Sequence, residues 1–260
     1  ESTALDCLHY DEKAFAVNLA QAKAYPRQGK IIAATLPHYP PVMNLTASVL
    51  ATVQDYPYQK IIVLGPNHTA QGPALIIGAQ GWKTPLGKIN GCFSQGRELL
   101  NKKDLAPIGI FDQRMTEDHS IAVQMPYIKH YFPQTPVLSI LISRAATLGQ
   151  LQSLAETIYR WQEKEDILVL ASIDFSHDQD YQKALDNDQK TKYAVEKKDI
   201  NSLNLLKGDF LDSPQSLITL ICLGQYYNQN LQLWQEFIQR GLPPLSQQGY
   251  TYLIYNLQDK

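Results

Sequence analysis

The chain has 260 residues, with Lys plus Arg at 23 against Asp plus Glu at 25. The net charge of −2 excludes the basic excess of a nucleic-acid binder. With 44% hydrophobic and 18% charged residues it reads as globular, and no apolar run nears the roughly 18 residues of a membrane span.

The first residues lack the basic segment and apolar block of a signal peptide, although the chain starts at Glu1 without Met. Residues 1–29 are expected to be a helical segment that packs on the main body. Lys30 to Thr35 (KIIAAT) reads as a buried strand, and Val42 to Gln54 as a helix. Lys60 to Leu64 (KIIVL) is a second strand. Gly72 to Phe93 reads as a hairpin-like insertion containing Ala74 to Ile77, with its turn at Pro85 to Gly87. Helices follow over Ser94 to Lys102 and Ser120 to His130. Val137 to Ile142 (VLSILI) is a strand, Leu148 to Lys164 a helix, and Ile167 to Ile173 (ILVLASI) a strand. Helices are expected over Tyr181 to Lys197 and Ser216 to Asn228, and Thr251 to Leu257 closes the chain as a strand. Short apolar runs alternating with amphipathic stretches predict one α/β domain over 1–260, a sandwich with a mixed or mostly parallel sheet covered on both faces. KIIAAT, KIIVL and ILVLASI should be neighbours in that sheet.

The three cysteines, Cys7, Cys92 and Cys222, form no CxxC pair. That argues against a zinc finger or a disulfide framework and for reduced thiols in a cytoplasmic protein. The histidines carry more information. His38, His68 and His177 each follow a hydrophobic strand, and His119 opens a helix in Glu117-Asp118-His119-Ser120. Ligand sites of open α/β sheets form at the carboxyl ends of strands, so these imidazoles should meet on one edge. Asp174, three residues before His177, is a candidate ligand or an acceptor that orients His177. His130 closes a helix, where a positive side chain suits the dipole, and His9 carries no assignment. A Ser176-His177-Asp174 triad is disfavoured, because adjacent Ser and His do not reach triad geometry and no GxSxG elbow is present.

These segments resemble the Memo family, also called AmmeMemoRadiSam system protein B, which is related in fold to the class III extradiol dioxygenases. The resemblance rests on Pro37-His38, Leu64-Gly65-Pro66-Asn67-His68, Thr84-Pro85-Leu86-Gly87, Asp118-His119-Ser120-Ile121 with Gln124-Met125-Pro126-Tyr127, and Ser172-Ile173-Asp174-Phe175-Ser176-His177. It runs from about Lys30 to the C-terminus. It implies an extradiol-dioxygenase-like α/β domain in which His38 and His68 bind a metal, and His119, Asp174 and His177 line the cleft as catalytic groups. Iron or copper is the implied metal, with zinc also compatible, and microbial relatives imply a radical-SAM system partner. Either a metal-dependent oxidoreductase acting on a small molecule or a non-enzymatic module binding a peptide or protein in the same cleft follows from it.

The family's third ligand is a Cys in a Cys-Gly element ahead of a buried helix. Here that position is read as Ser213, followed by Pro214. A neutral Ser is a poor transition-metal ligand, so a weak or empty metal site is expected. Asp212 is the alternative anionic donor and is given less weight.

Overall fold

A computed structural model describes residues 3–241 and 247–259. The strands are β1 (Leu5–Asp6), β2 (Ile31–Leu36), β3 (Lys60–Pro66), β4 (Leu75–Gly78), β5 (Trp82–Thr84), β6 (Gly87–Ile89), β7 (Ile108–Gly109), β8 (Val137–Ile142), β9 (Ile167–Ser172), β10 (Gln179–Asp180), β11 (Gln232–Arg240) and β12 (Gln248–Gln258). The helices are α1 (Glu12–Ala20), α2 (Met43–Val53), α3 (Phe93–Leu100), α4 (Asp112–Glu117), α5 (His119–Ala122), α6 (Met125–Tyr131), α7 (Leu148–Gln162), α8 (Tyr181–Glu196), α9 (Ile200–Leu205) and α10 (Pro214–Tyr226).

The main sheet runs β10-β12-β2-β9-β3-β8-β4-β7, with β11 on the other edge of β12. Its centre, β2-β9-β3-β8, is parallel, as strands buried on both faces usually are. The three strands expected to be neighbours are neighbours, in the order β2-β9-β3. Alternate residues of each strand serve opposite layers. Ile61 and Val63 pack with Leu45, Val49, Ile121 and Ile128 from α2, α5 and α6. Ile62 and Leu64 pack with Leu154, Ile158, Leu217 and Ile221 from α7 and α10. Helix α10 is buried continuously from Pro214 to Gly224, which fits an apolar helix wedged between α7 and the sheet. Helix α7 is amphipathic and starts on a capping box formed by Thr147 and Gln150.

Several features differ from expectation. Leu75–Gly78 is not part of a hairpin insertion. It joins the main sheet antiparallel to β8, and only β5 and β6 form the hairpin, with β1 added in parallel. The helix expected over Ser120 to His130 is two helices, because Pro126 lacks the N–H that a continuous helix would use and instead sits in the first turn of α6. Helix α10 begins two residues before the expected start, with Pro214 in its first turn. Strand β11, unpredicted, pairs antiparallel with β12. Within the N-terminal segment, α1 packs on α2. Among the described residues no helix is long and apolar enough to cross a membrane.

Gly91 makes a parallel bridge to Val137 where the hairpin meets β8. A Cβ there would lie 1.8 Å from the Ala79 carbonyl oxygen, a backbone atom that cannot yield locally. Gly91→Ala should therefore destabilise the fold by about 3 kcal/mol, near the top of the overpacking range. Urea denaturation measures it, and a loss under about 0.5 kcal/mol, the size of an ordinary surface change, would refute the close approach.

Candidate metal centre

Because β2, β3 and β9 are parallel and adjacent, their carboxyl ends share one edge of the sheet. The loops leaving them carry His38, His68 and the Asp174-Phe175-Ser176-His177 segment. Helix α5 adds His119 at its first position, and the turn before α10 adds Asp212. The rings of His38 and His68 lie 5.3 Å apart edge to face, and His119 stacks on His68 at 4.7 Å and meets His38 at 5.2 Å.

The hydrogen-bond partners fix how each imidazole is used. Ser172 donates its only proton to the Ser120 carbonyl at 2.6 Å, so at 3.0 Å it accepts from His38 Nδ1–H. Asp118, wholly buried, accepts from His68 Nδ1–H at 2.9 Å and from the His68 backbone N–H at 3.0 Å. Both Nε2 atoms then face one carboxylate oxygen. Asp212 Oδ2 lies 2.7 Å from His38 Nε2 and 3.5 Å from His68 Nε2. His177 Nδ1–H donates to the Phe175 carbonyl at 2.7 Å, and among the described residues its Nε2 has no hydrogen-bond partner. His177 lines a cleft of about 210 Å³ together with His68, Asp212, Asn67 and Arg144.

Of its two expected roles, Asp174 keeps that of a candidate ligand and does not take that of orienting His177. Its Oδ1 accepts from the His38 backbone N–H at 2.9 Å, and its Oδ2 lies 3.6 Å from His38 Nε2. It therefore orients His38 and not His177, whose nearest acceptor is the Phe175 carbonyl. The Asp174 N–H donates to Asp212 Oδ1 at 3.1 Å, and the Asp212 N–H donates to the Asp174 carbonyl at 3.0 Å. This exchange ties the exit of β9 to the entry of α10.

Ser213 stands outside the cluster. It is buried at the N-terminus of α10 and donates to Ser216 Oγ at 2.7 Å. The anionic donor beside His38 and His68 is its neighbour Asp212, the alternative given less weight in the sequence. Asp118 went unassigned in the sequence, where Glu117-Asp118-His119-Ser120 was read for its histidine alone. It caps α5 through the Ser120 N–H and holds His68 as well.

The charges follow from this packing. Burial works against a proton on His38, but Asp174 and Asp212 outweigh it and raise its pKa. For His68, burial is likewise outweighed, by hydrogen bonds to Asp118 and Asp212, and its pKa rises to about 10. Burial would raise Asp212, yet His38 and His68 hold its carboxyl well below the usual range. Burial and then the nearby His38 and His68 push His119 down to about 4, so it is neutral near pH 7. Two overlapping sets of donors, His38-His68-His119 and His38-Asp174-Asp212, each lie within 4.8 Å of one another, close enough to hold a metal ion.

Asp118→Asn should keep the fold but lower metal affinity about 10- to 100-fold, the usual effect of losing a partner that orients a ligating imidazole. Calorimetric titration with Zn(II) reads it. Unchanged affinity would mean that Asp118 does no more than cap α5.

A family model described as Memo-like protein matches residues 10–219. A MEMO1 family protein of Sulfolobus acidocaldarius is 34% identical over 146 residues, covering 55% of this chain and 51% of the relative. A MEMO1 family protein of Sulfurisphaera tokodaii is 31% identical over 141 residues, covering 53% and 48%. The chain thus spans about half the length of these curated relatives. The crystal structure of an uncharacterized protein, JW3007, from Escherichia coli K12 superposes with a TM-score of 0.58 over 88% of this chain and all of that one. At 12% identity it shares the fold alone. With the match extending over most of its length and through all five site segments, the chain belongs to the Memo family.

Proposed function

We propose that His38, His68 and Asp212 hold a divalent first-row transition metal and that the protein is a metal-dependent oxidoreductase of the dioxygenase-like kind, acting on a small molecule. The observation that carries this is the single carboxylate oxygen of Asp212 facing two Nε2 atoms whose Nδ1–H groups are already bonded. Two imidazoles, which give up their Nε2 protons on binding, and one carboxylate suit Fe(II) best, and imidazole also accepts copper and zinc. A metal bound there supplies a Lewis-acid and redox centre with open positions.

The chain's own groups have separable tasks. Asp174 and Ser172 hold His38, and Asp118 holds His68. His177, with Nδ1–H on the Phe175 carbonyl, presents Nε2 to the cleft as a proton acceptor or, once protonated, a donor. Neutral His119 offers one N–H and one lone pair beside the cluster.

Anaerobic titration with Fe(II), followed by oxygen-uptake measurements on the loaded protein, tests the proposal. One equivalent should bind, binding should vanish in His38→Ala, and His177→Ala should bind metal normally while changing the pH profile of oxygen uptake. Absence of stoichiometric binding by the wild-type chain would refute the metal site. Binding without any oxygen uptake across candidate reductants would refute the oxidoreductase reading.

A further inference from the structure

His119 belongs to the imidazole cluster and also to a second, larger cavity of about 480 Å³. One wall is the N-terminal segment, with Tyr10, Ala14 and Phe15, and the other is made by Met43, Val123 and Tyr127. This size and mostly apolar lining are those of a small-molecule pocket.

Two polar groups on its lining, the buried Tyr127 and the half-buried His119, have unused capacity. Tyr127 Oη accepts from Asn18 Nδ2 at 2.9 Å, and no described residue accepts the Tyr127 proton. Tyr127 and Asn18 are only 5% exposed and Tyr127 lines the cavity, so whatever fills the cavity is what can meet that proton. A buried donor left without an acceptor is costly, and a ligand oxygen would satisfy it. Neither ring nitrogen of His119 makes a hydrogen bond among the described residues, so the pocket has a polar group where it meets the cluster. Asp11 lies on the lining, and Glu12 follows it on the exposed first turn of α1. A lining carboxylate on a mostly apolar cavity disfavours an anion, which would also lose its hydration on entry.

We infer that this cavity is the specificity pocket of the cleft, and that it takes the uncharged, apolar end of the substrate with one acceptor oxygen for the Tyr127 hydroxyl. The inference rests on the functional reading above, because it places the reacting end of the same molecule at His119 beside the metal ligands. It makes the N-terminal segment part of substrate selection.

Acetophenone and benzoate share a ring and differ in charge, and both can be titrated into the full chain by proton–nitrogen correlation NMR. Acetophenone should give saturable shifts at the amides of Phe15, Val123 and Tyr127, and benzoate should bind at least tenfold more weakly. Ala14→Trp changes an exposed helix position that lines the cavity, so the fold should survive while acetophenone binding is lost. Tyr127→Phe should weaken acetophenone about three- to tenfold, the usual worth of one hydrogen bond. No saturable binding by the wild-type chain, equal binding of benzoate, or binding unaffected by Ala14→Trp would overturn the inference. Zn(II) titration of the same samples separates the two readings. Normal Zn(II) binding in an Ala14→Trp protein that has lost acetophenone supports the pocket, whereas failure of the wild-type chain to bind Zn(II) refutes the metal site and leaves the acetophenone result to stand by itself.

Discussion

Asp212→Asn should weaken metal binding by more than about 100-fold, the upper end of what loss of an orienting partner costs, because it removes a direct anionic donor. Its oxygen faces both His38 Nε2 and His68 Nε2, and a neutral amide there gives neither charge nor a strong donor. Ser213→Cys should leave affinity unchanged, since the Ser213 hydroxyl is turned to Ser216 within the start of α10. Titration of Fe(II) and Zn(II) into the two variants compares the adjacent positions directly. A gain of affinity in Ser213→Cys with no loss in Asp212→Asn would reverse the assignment. Circular dichroism guards against misfolding, because Asp212 also accepts from the Asp174 N–H.

Asp188→Asn should stabilise the protein at pH 8 by a few kcal/mol and flatten its stability between pH 4 and 7. Asp188 is fully buried on α8, and neither carboxylate oxygen has a partner in hydrogen-bonding geometry. Burial lifts its pKa from 3.8 to about 7, against smaller opposing effects of the nearby Thr251 hydroxyl and Ser176 N–H. The folded state therefore holds this proton more tightly than the unfolded state between those two values. Stability is greatest below about pH 4 and is lost as pH rises through about 7, by on the order of 4 kcal/mol in all. Urea denaturation of wild type and variant at pH 5 and 8 tests the sign. A wild-type contribution that grows with pH, or an Asn variant less stable than wild type at pH 8, would contradict it. Because Asp188 lies beneath the loop carrying Asp174 and His177, metal affinity should be followed in the same samples.

The strands were readable because Ile31–Leu36, Lys60–Pro66 and Ile167–Ser172 are almost wholly buried on both faces, and such segments appear as continuous β-branched runs. Strand β11 was not, since QLWQEFIQR is half-exposed, rich in Gln, and ordered by β12 rather than by its own pattern. The meeting of His38 and His68 was readable from strand ends, while His119 was read from a helix start. The choice between Asp212 and Ser213 was not, because it depends on how the backbone turns ahead of Pro214, and neighbouring side chains there point in different directions. Asp174 was placed in the right cleft with the wrong partner, since spacing along the chain favours His177 while the fold brings in His38 from 136 residues away.

The site also gathers four backbone amides. The N–H groups of His38, His68, Asp174 and Asp212 donate respectively to Asp174 Oδ1, Asp118 Oδ2, Asp212 Oδ1 and the Asp174 carbonyl. Each bond crosses between segments far apart in sequence, so none persists when one loop lifts away from the others. Deuterium uptake at these four positions is therefore a clock for local opening, read without a substrate or a spectroscopic metal. A cation that bridges the loops would slow all four together, in proportion to its concentration over its dissociation constant. Retardation at one or two amides only would instead show that the loops move independently.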